Sequence, residues 1–256
     1  MIKPIDANED KYPDSRAVIG YENLLSSVDD NRALGTLTPN TYEGFAASVG
    51  ESVGLSYEFT AGSAEIDYIA VSGTGFPQNV AVYAIPLDEF DSPIATYSGN
   101  LDAGTLFFSF DAITAHKVVF QFSAVGGETL HVMSAGMSLK MTQPIYGGHS
   151  PINLSSKTEY SSAKSVNGNF IGRTIERQGG ASQFNWKNLD PYWYRENFQP
   201  FVNSAKTKPF FIKWRPDYHS EESAYCWTTQ DIKPQNQGGG SQLMSVGVQA
   251  ESYSGI

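Results

Sequence analysis

The chain has 256 residues, enough for one or two domains of ordinary size. Charged residues make up 17 % and aromatic residues 13 %, with 24 Gly and 13 Pro; this composition excludes a helical bundle, a coiled coil and a disordered chain, and predicts a β-rich protein. The net charge of −10 excludes free nucleic acid as a partner, because phosphate binding needs a basic face.

The charge is unevenly spread. Residues 1–143 carry 6 Lys+Arg and 18 Asp+Glu, a balance of −12, whereas residues 144–256 carry 11 and 9, a balance of +2. The shift predicts two differently used domains, 1–143 and 144–256, with Pro144, Gly147, Gly148 and Pro151 as linker. The single cysteine, Cys226, permits no intrachain disulfide and fits folding in a reducing cytoplasm. Met1 to Asp6 begin no apolar run of the signal-peptide kind, and no apolar stretch is long enough to span a bilayer, so neither secretion by the usual route nor membrane insertion is expected.

In the first half, Val53, Leu55, Tyr57 and Phe59 alternate with Ser52, Gly54, Ser56 and Glu58, a period of two with one buried face. Further strands are expected at Glu65–Val71, around Val80, Val82 and Ala84, around Leu106, Phe108 and Phe110, around Val118, Phe120 and Phe122, and over Leu130–Leu139. Turn signals lie between them: Ala61-Gly62-Ser63, Ser72-Gly73-Thr74-Gly75, Pro77, Asp91-Ser92-Pro93 and Gly126-Gly127. Short strands at this spacing predict an antiparallel β-sandwich.

In the second half stand all four tryptophans, Trp186, Trp193, Trp214 and Trp227. Ile171–Ile175 and Phe184-Asn185-Trp186 read as strands. Asp190-Pro191 is a helix start, with a carboxylate cap followed by proline at the first helical position. The helix runs over about 191–205, with Phe198, Phe201 and Val202 on one face and Pro200 kinking or restarting it. Pro209–Trp214 and Ala224–Thr229 read as a strand pair, Gln237–Ser241 as a flexible turn, and Met244 to Glu251 as a closing strand. The expected fold is therefore mainly β, with two β-sandwich domains, the second carrying one inserted helical segment.

The segments Asn23-Leu24-Leu25, Thr41 to Phe45, Val53 to Phe59, Ile66 to Val71, Gly73-Thr74-Gly75 and Val80 to Tyr83 follow an order that resembles the discoidin-like, or galactose-binding-like, jelly roll over roughly residues 20 to 143. The resemblance implies that the first sandwich is a jelly roll. Gly172-Arg173, Phe184-Asn185-Trp186, Phe198 and Phe201, Pro209 to Trp214, Tyr225 and Ala250-Glu251-Ser252 together resemble the distal-tail and minor-tail proteins of long-tailed bacteriophages. That family builds rings at the end of the tail tube. The resemblance implies a structural virion protein of a tail tip or baseplate, assembled in the host cytoplasm. It implies a homo-oligomeric ring, expected to be a hexamer, in contact with tube, hub and tape-measure proteins. The order of the halves departs from the better-known distal tail proteins, which place the ring-forming domain first.

No Gly-x-Ser-x-Gly elbow, phosphate loop or Rossmann glycine pattern occurs. Asp88-Glu89 and Glu221-Glu222 are adjacent pairs, so on a strand they point to opposite faces and do not form a glycosidase pair. His116, His131, His149 and His219 are scattered; His219 with Glu222 is the nearest metal-like spacing, and a solvated loop is the simpler reading. No catalytic residue, cofactor or metal is expected. A glycan-degrading depolymerase is the enzymatic reading, and the missing constellation weighs against it.

Trp193, Tyr194 and Arg195, with Arg173, Arg177 and Arg215, are the candidate interface residues, since Trp, Tyr and Arg dominate interface hot spots. Consecutive helical residues cannot all face one core, so at least one of Trp193 and Tyr194 is expected to touch another subunit. The alternative function is a carbohydrate-binding adhesion module for host-surface attachment. Its candidate ligand loops hold Asp29, Asp30, Asn31 and Phe76, and the Asp29–Asn31 oxygen cluster reads either as a structural calcium loop or as an exposed acidic turn.

Overall fold

The computed structural model describes residues 16–101, 104–147, 155–214, 222–238 and 242–253. The protein is mainly β and its strands pair antiparallel in three sheets.

The first sheet contains β2 (Leu25–Val28), β4 (Ser52–Phe59), β6 (Ala81–Leu87), β7 (Tyr97–Asn100) and β9 (Lys117–Ser123), in the order β2-β4-β9-β6-β7. The second contains β3 (Phe45–Ala46), β5 (Ala64–Thr74), β8 (Thr105–Ala115) and β10 (Thr129–Gly136), in the order β3-β10-β5-β8. The alternation in β4 does what its period of two requires: Val53, Leu55, Tyr57 and Phe59 are buried. They meet Ile66, Ile69 and Val71 of β5 and Phe120 and Phe122 of β9 in one core. The two sheets thus face each other across that core as a sandwich.

The third sheet is built on the second half: β12 (Ser156–Lys164), β13 (Phe170–Leu189), β14 (Phe210–Lys213), β15 (Ser223–Thr228), β16 (Gln235–Asn236) and β17 (Met244–Tyr253). It also takes β1 (Val18–Gly20) and β11 (Leu139–Lys140) from the first half, in the order β11-β1-β14-β15-β17-β13-β12. The stretch read as one strand from Leu130 to Leu139 divides here, β10 lying in the sandwich and β11 in the third sheet. The chain therefore enters and leaves the first sandwich through the sheet of the second half.

The third sheet curls enough for Phe184 of β13 and Trp214, just after β14, to stand 6.0 Å apart between ring centres although two strands separate theirs. The helical segment fills this curl. It comprises α1 (Pro191–Trp193), a π-helical turn over Tyr194–Phe198 and α2 (Gln199–Ala205). Asp190 caps it, its side chain accepting hydrogen bonds from the Tyr192 and Trp193 amides. Pro200 sits at the start of α2. Proline has no amide hydrogen, and its ring crowds the carbonyl four residues back; the wider π turn just before it takes up the misfit without a break. Tyr194, Phe198, Phe201 and Val202 are buried against Phe184, Trp186 and Trp214.

The second and third sheets also pack on each other. Val18, Phe211 and Tyr225 of the third sheet meet Tyr68, Ala70, Phe107 and Val132 of the second. The strand β5 is consequently buried on both faces from Ile66 to Gly73, which is why its sequence reads as a continuous apolar run. Polar contacts close this seam: Lys213 Nζ donates to the Phe107 carbonyl at 3.0 Å, Ser223 Oγ to the Thr105 carbonyl at 3.1 Å and the Tyr225 hydroxyl to the Pro39 carbonyl at 2.7 Å.

Candidate functional site

In the acidic loop Asp29 and Asp30 are engaged within the protein, and Asn31 is exposed at the start of a 3₁₀ helix. Asp29 Oδ1 accepts the Ser56 amide at 2.9 Å. Asp30 caps a 3₁₀ helix over Asn31–Leu37 through the Arg32 amide and pairs with the Arg32 guanidinium, which also reaches Glu51 Oε1 at 2.8 Å. The Arg32 hydrogen bonds hold the Asp30 and Glu51 carboxyls below the usual carboxylate range. These oxygens shape a turn. Phe76 is a core residue, with its ring 5.0 Å from that of Phe122 in an edge arrangement, so its place as a ligand-loop residue is corrected. Aromatic identity next to a Gly-rich turn did not separate the two roles.

Tyr194 is likewise core, stacked on Phe198 at 5.2 Å, and is corrected as an interface residue. Trp193 is half-buried against the same core, Tyr192 is exposed, and Arg195 is exposed with Nη1 donating to the Pro191 carbonyl at 2.6 Å. Arg177 has its backbone in β13 opposite Glu159, but its side chain lies outside the described residues, as do Arg215, His149, His219 and the tip of the Gln237–Ser241 turn.

Among the described residues, Cys226, His131, Glu222 and Glu128 are buried within the fold. Cys226 is buried, and burial raises its thiol pKa well above the ordinary value. His131 is buried with Nε2 at 3.0 Å from Thr74 Oγ1, and burial lowers its pKa. Glu222 accepts the Trp214 indole N–H at 2.8 Å. Burial opposes ionisation of Glu128, yet the Val125 and Gly126 amides at 2.8 and 2.7 Å hold its carboxylate below the usual range. Among the described residues, no group of three or more His, Cys, Asp or Glu could hold a metal ion, and no helix is long and apolar enough to cross a membrane.

Two surfaces of the described residues bear on binding. The first is the hairpin β12–β13. Every residue of β12 is exposed except Thr158, which is half-buried. The outer part of β13 is exposed too: Phe170 at 68 %, Ile171 at 66 % and Ile175 at 54 %, the last opposite Tyr160, itself 48 % exposed on β12. Tyr160 is paired with Ile175, and Arg173 lies over the Tyr160 ring at 4.1 Å. The inner part of β13, from Gly179, pairs with β17 in the body of the sheet. Sequence reasoning found Arg173 but missed the hairpin, because β13 was read as two short strands.

The second surface is a shallow groove on the outer face of the β13–β17 pair, in two adjoining lobes of about 800 Å³ each that share Gly147 and Asn185. Its floor carries Gln183, Asn185 and Gln249, and Gln230, Gln235 and Tyr146 rise at its sides. No motif marks it, since its residues come from five separate segments.

No protein-family model matches the chain, and no curated protein matches it in sequence. Among solved structures, CpGH89CBM32-6 produced by Clostridium perfringens is similar at 10 % identity and a TM-score of 0.38, over 44 % of this chain and 98 % of that one. Chitosan-binding module 2 from a Paenibacillus chitosanase/glucanase, in complex with chitotriose, is similar at 15 % identity and a TM-score of 0.34, over 46 % and 97 %. A fucose-binding module of Streptococcus pneumoniae is similar at 15 % and 0.32, over 45 % and 89 %.

Proposed function

We propose that this chain is a non-catalytic assembly subunit that joins copies of itself into a ring through the β12–β13 hairpin, as a structural protein of a phage tail tip or baseplate. The observation that carries the reading is the two-sided exposure of that hairpin. An isolated two-stranded ribbon is marginally stable in water, and contiguous exposed apolar side chains mark interaction surfaces. Tyr160 and Ile175 stand side by side on one face of the arm, and Phe170 and Ile171, neighbours in sequence, expose apolar side chains toward its two faces; the arm extends roughly 30 Å at strand rise.

A second copy of the chain is the partner that the charge favours. Between Ser156 and Gln178 the arm carries Lys157, Lys164, Arg173 and Arg177 against Glu159 and Glu176. Residues 1–143 of a neighbouring copy would offer their balance of −12. Negative-stain electron microscopy of the purified full chain tests the reading. Closed rings with a central hole are expected, and single particles of monomer size at all concentrations would refute it. Contacts with tube, hub and tape-measure proteins belong to the same proposal.

The second reading, carbohydrate attachment, is favoured by a separate observation, the amide-bearing groove on the outer face of the third sheet. Asp29, Asp30 and Phe76 do not support it, since those side chains are engaged within the protein.

A further inference from the structure

We infer that the groove over β13 and β17 is a binding site for a neutral glycan, on the second half of the chain and away from the loops of the first sandwich. In the ladder Gln183 stands opposite Gln249, and Asn185 opposite Gly247, so these side chains share one face of the sheet. A Cβ on Gly247 would lie 2.8 Å from Asn185 Oδ1. Glycine at 247 therefore lets the Asn185 side chain lie flat across the neighbouring strand. Gln183 Nε2 donates to Asn185 Oδ1 at 3.2 Å, which fixes that oxygen and leaves the Asn185 amide nitrogen turned to other partners. Gln249 is exposed beside it.

The chemistry of this floor selects the ligand class. A side-chain amide offers donors and an acceptor together, and a sugar hydroxyl does the same, so the two match over several positions at once. The ionic groups at the rim are mutually compensated or mixed in sign: Lys157 pairs with Glu251, and Lys187 and Lys233 stand with Asp231. A strongly charged polymer is thus not favoured. Tyr146 provides an aromatic ring already covered on one side by Lys187 Nζ at 3.7 Å, and Trp227 flanks the groove opposite Glu251 in the ladder. An extended peptide adds to a sheet edge through its backbone; Gln183, Asn185 and Gln249 stand on the sheet face and present side chains, and on the neighbouring edge of β13 the Asn185 carbonyl already accepts the Tyr146 amide at 2.7 Å. Each lobe falls within the size range of small-molecule sites, roughly 300–1,000 Å³.

The test is independent of ring formation and uses the full chain. It is screened on an array of neutral bacterial surface polysaccharides and titrated with chito-, cello- and galacto-oligosaccharides. At least one neutral glycan is expected to bind. Gln249→Ala is expected to weaken that binding about tenfold, the size of one or two lost hydrogen bonds, with the thermal unfolding midpoint unchanged. Asn185→Ala is expected to weaken it at least as much. Tyr42→Ala, on an exposed loop of the first sandwich, is expected to leave it unaltered. Three results overturn the inference: no neutral glycan bound, binding lost with Tyr42→Ala but kept with Gln249→Ala, or a groove that takes up extended peptides instead.

Discussion

The guanidinium of Arg173 lies 4.1 Å from the centre of the Tyr160 ring, on the outer part of the β12–β13 hairpin, where both strands are largely exposed. A cation over an aromatic ring contributes about 0.5–1 kcal/mol at an exposed site and more once it is desolvated. Arg173→Ala is therefore expected to lower the stability of the separated chain by no more than about 1 kcal/mol while weakening self-association several-fold. Thermal unfolding at low concentration and sedimentation at high concentration separate the two effects. A large loss of stability with association unchanged would mean that the pair serves the fold of the arm alone.

The seam between the second and third sheets makes a different prediction. Lys213 is buried and its ammonium donates to the Phe107 carbonyl. In Lys213→Met that carbonyl loses a donor within an apolar setting, at an expected cost of about 1–3 kcal/mol. Because β1 and β11 tie the halves into one sheet, calorimetry of the wild type should show one cooperative transition. Two well-separated transitions would show that the halves unfold independently.

Much of this architecture was legible in the sequence. The alternation of Val53, Leu55, Tyr57 and Phe59 placed β4 over the residues it occupies, and Asp190-Pro191 marked the helix start, because both signals are local. The long strand β13 was not legible: Ile171–Ile175 and Phe184-Asn185-Trp186 read as two short strands, with Gly179-Gly180 lying between them. In the fold Gly179 passes close to the Ser252 carbonyl, where a Cβ would lie 2.9 Å away, so the glycine permits close strand approach. The third sheet's borrowing of β1 and β11 is a long-range pairing that no local pattern encodes. Aromatic character named Phe76 and Tyr194 as surface candidates, but burial depends on which strands and helices converge on them.

The helix cap gives a smaller, sharper test. Asp190→Ala removes the acceptor for two amides, those of Tyr192 and Trp193. A loss of about 1 kcal/mol is expected in urea unfolding, and Asp190→Ser should recover most of it.

Gly75 has φ +78°, and a Cβ there would lie 2.2 Å from the Gly127 carbonyl oxygen. Gly75→Ala combines a left-handed backbone with an overlap against main chain, so a loss of about 2 kcal/mol or more is expected. A neutral effect would contradict the packing of this turn.

Glu128 carries a pH dependence. Its carboxylate is held below the usual range by backbone hydrogen bonds that outweigh its burial. A depressed carboxylate stabilises the fold above its unfolded pKa of about 4.3 and loses that contribution as pH falls through the lower folded value. Glu128→Gln should be less stable than wild type at pH 7, with the difference shrinking below about pH 4. A difference that stays constant from pH 7 to pH 3 would assign the loss to packing.

The central claim is that the exposed arm joins copies of the chain. Its most direct test is the mass of the full chain by sedimentation velocity, compared with a variant carrying Tyr160→Ser, Phe170→Ser and Ile175→Ser. All three side chains are exposed in the single chain, so folding of the body should persist. The account predicts a discrete oligomer for wild type and a folded monomer for the variant. An oligomer of unchanged mass in the variant, or a wild type that remains monomeric at the highest concentration, would contradict it.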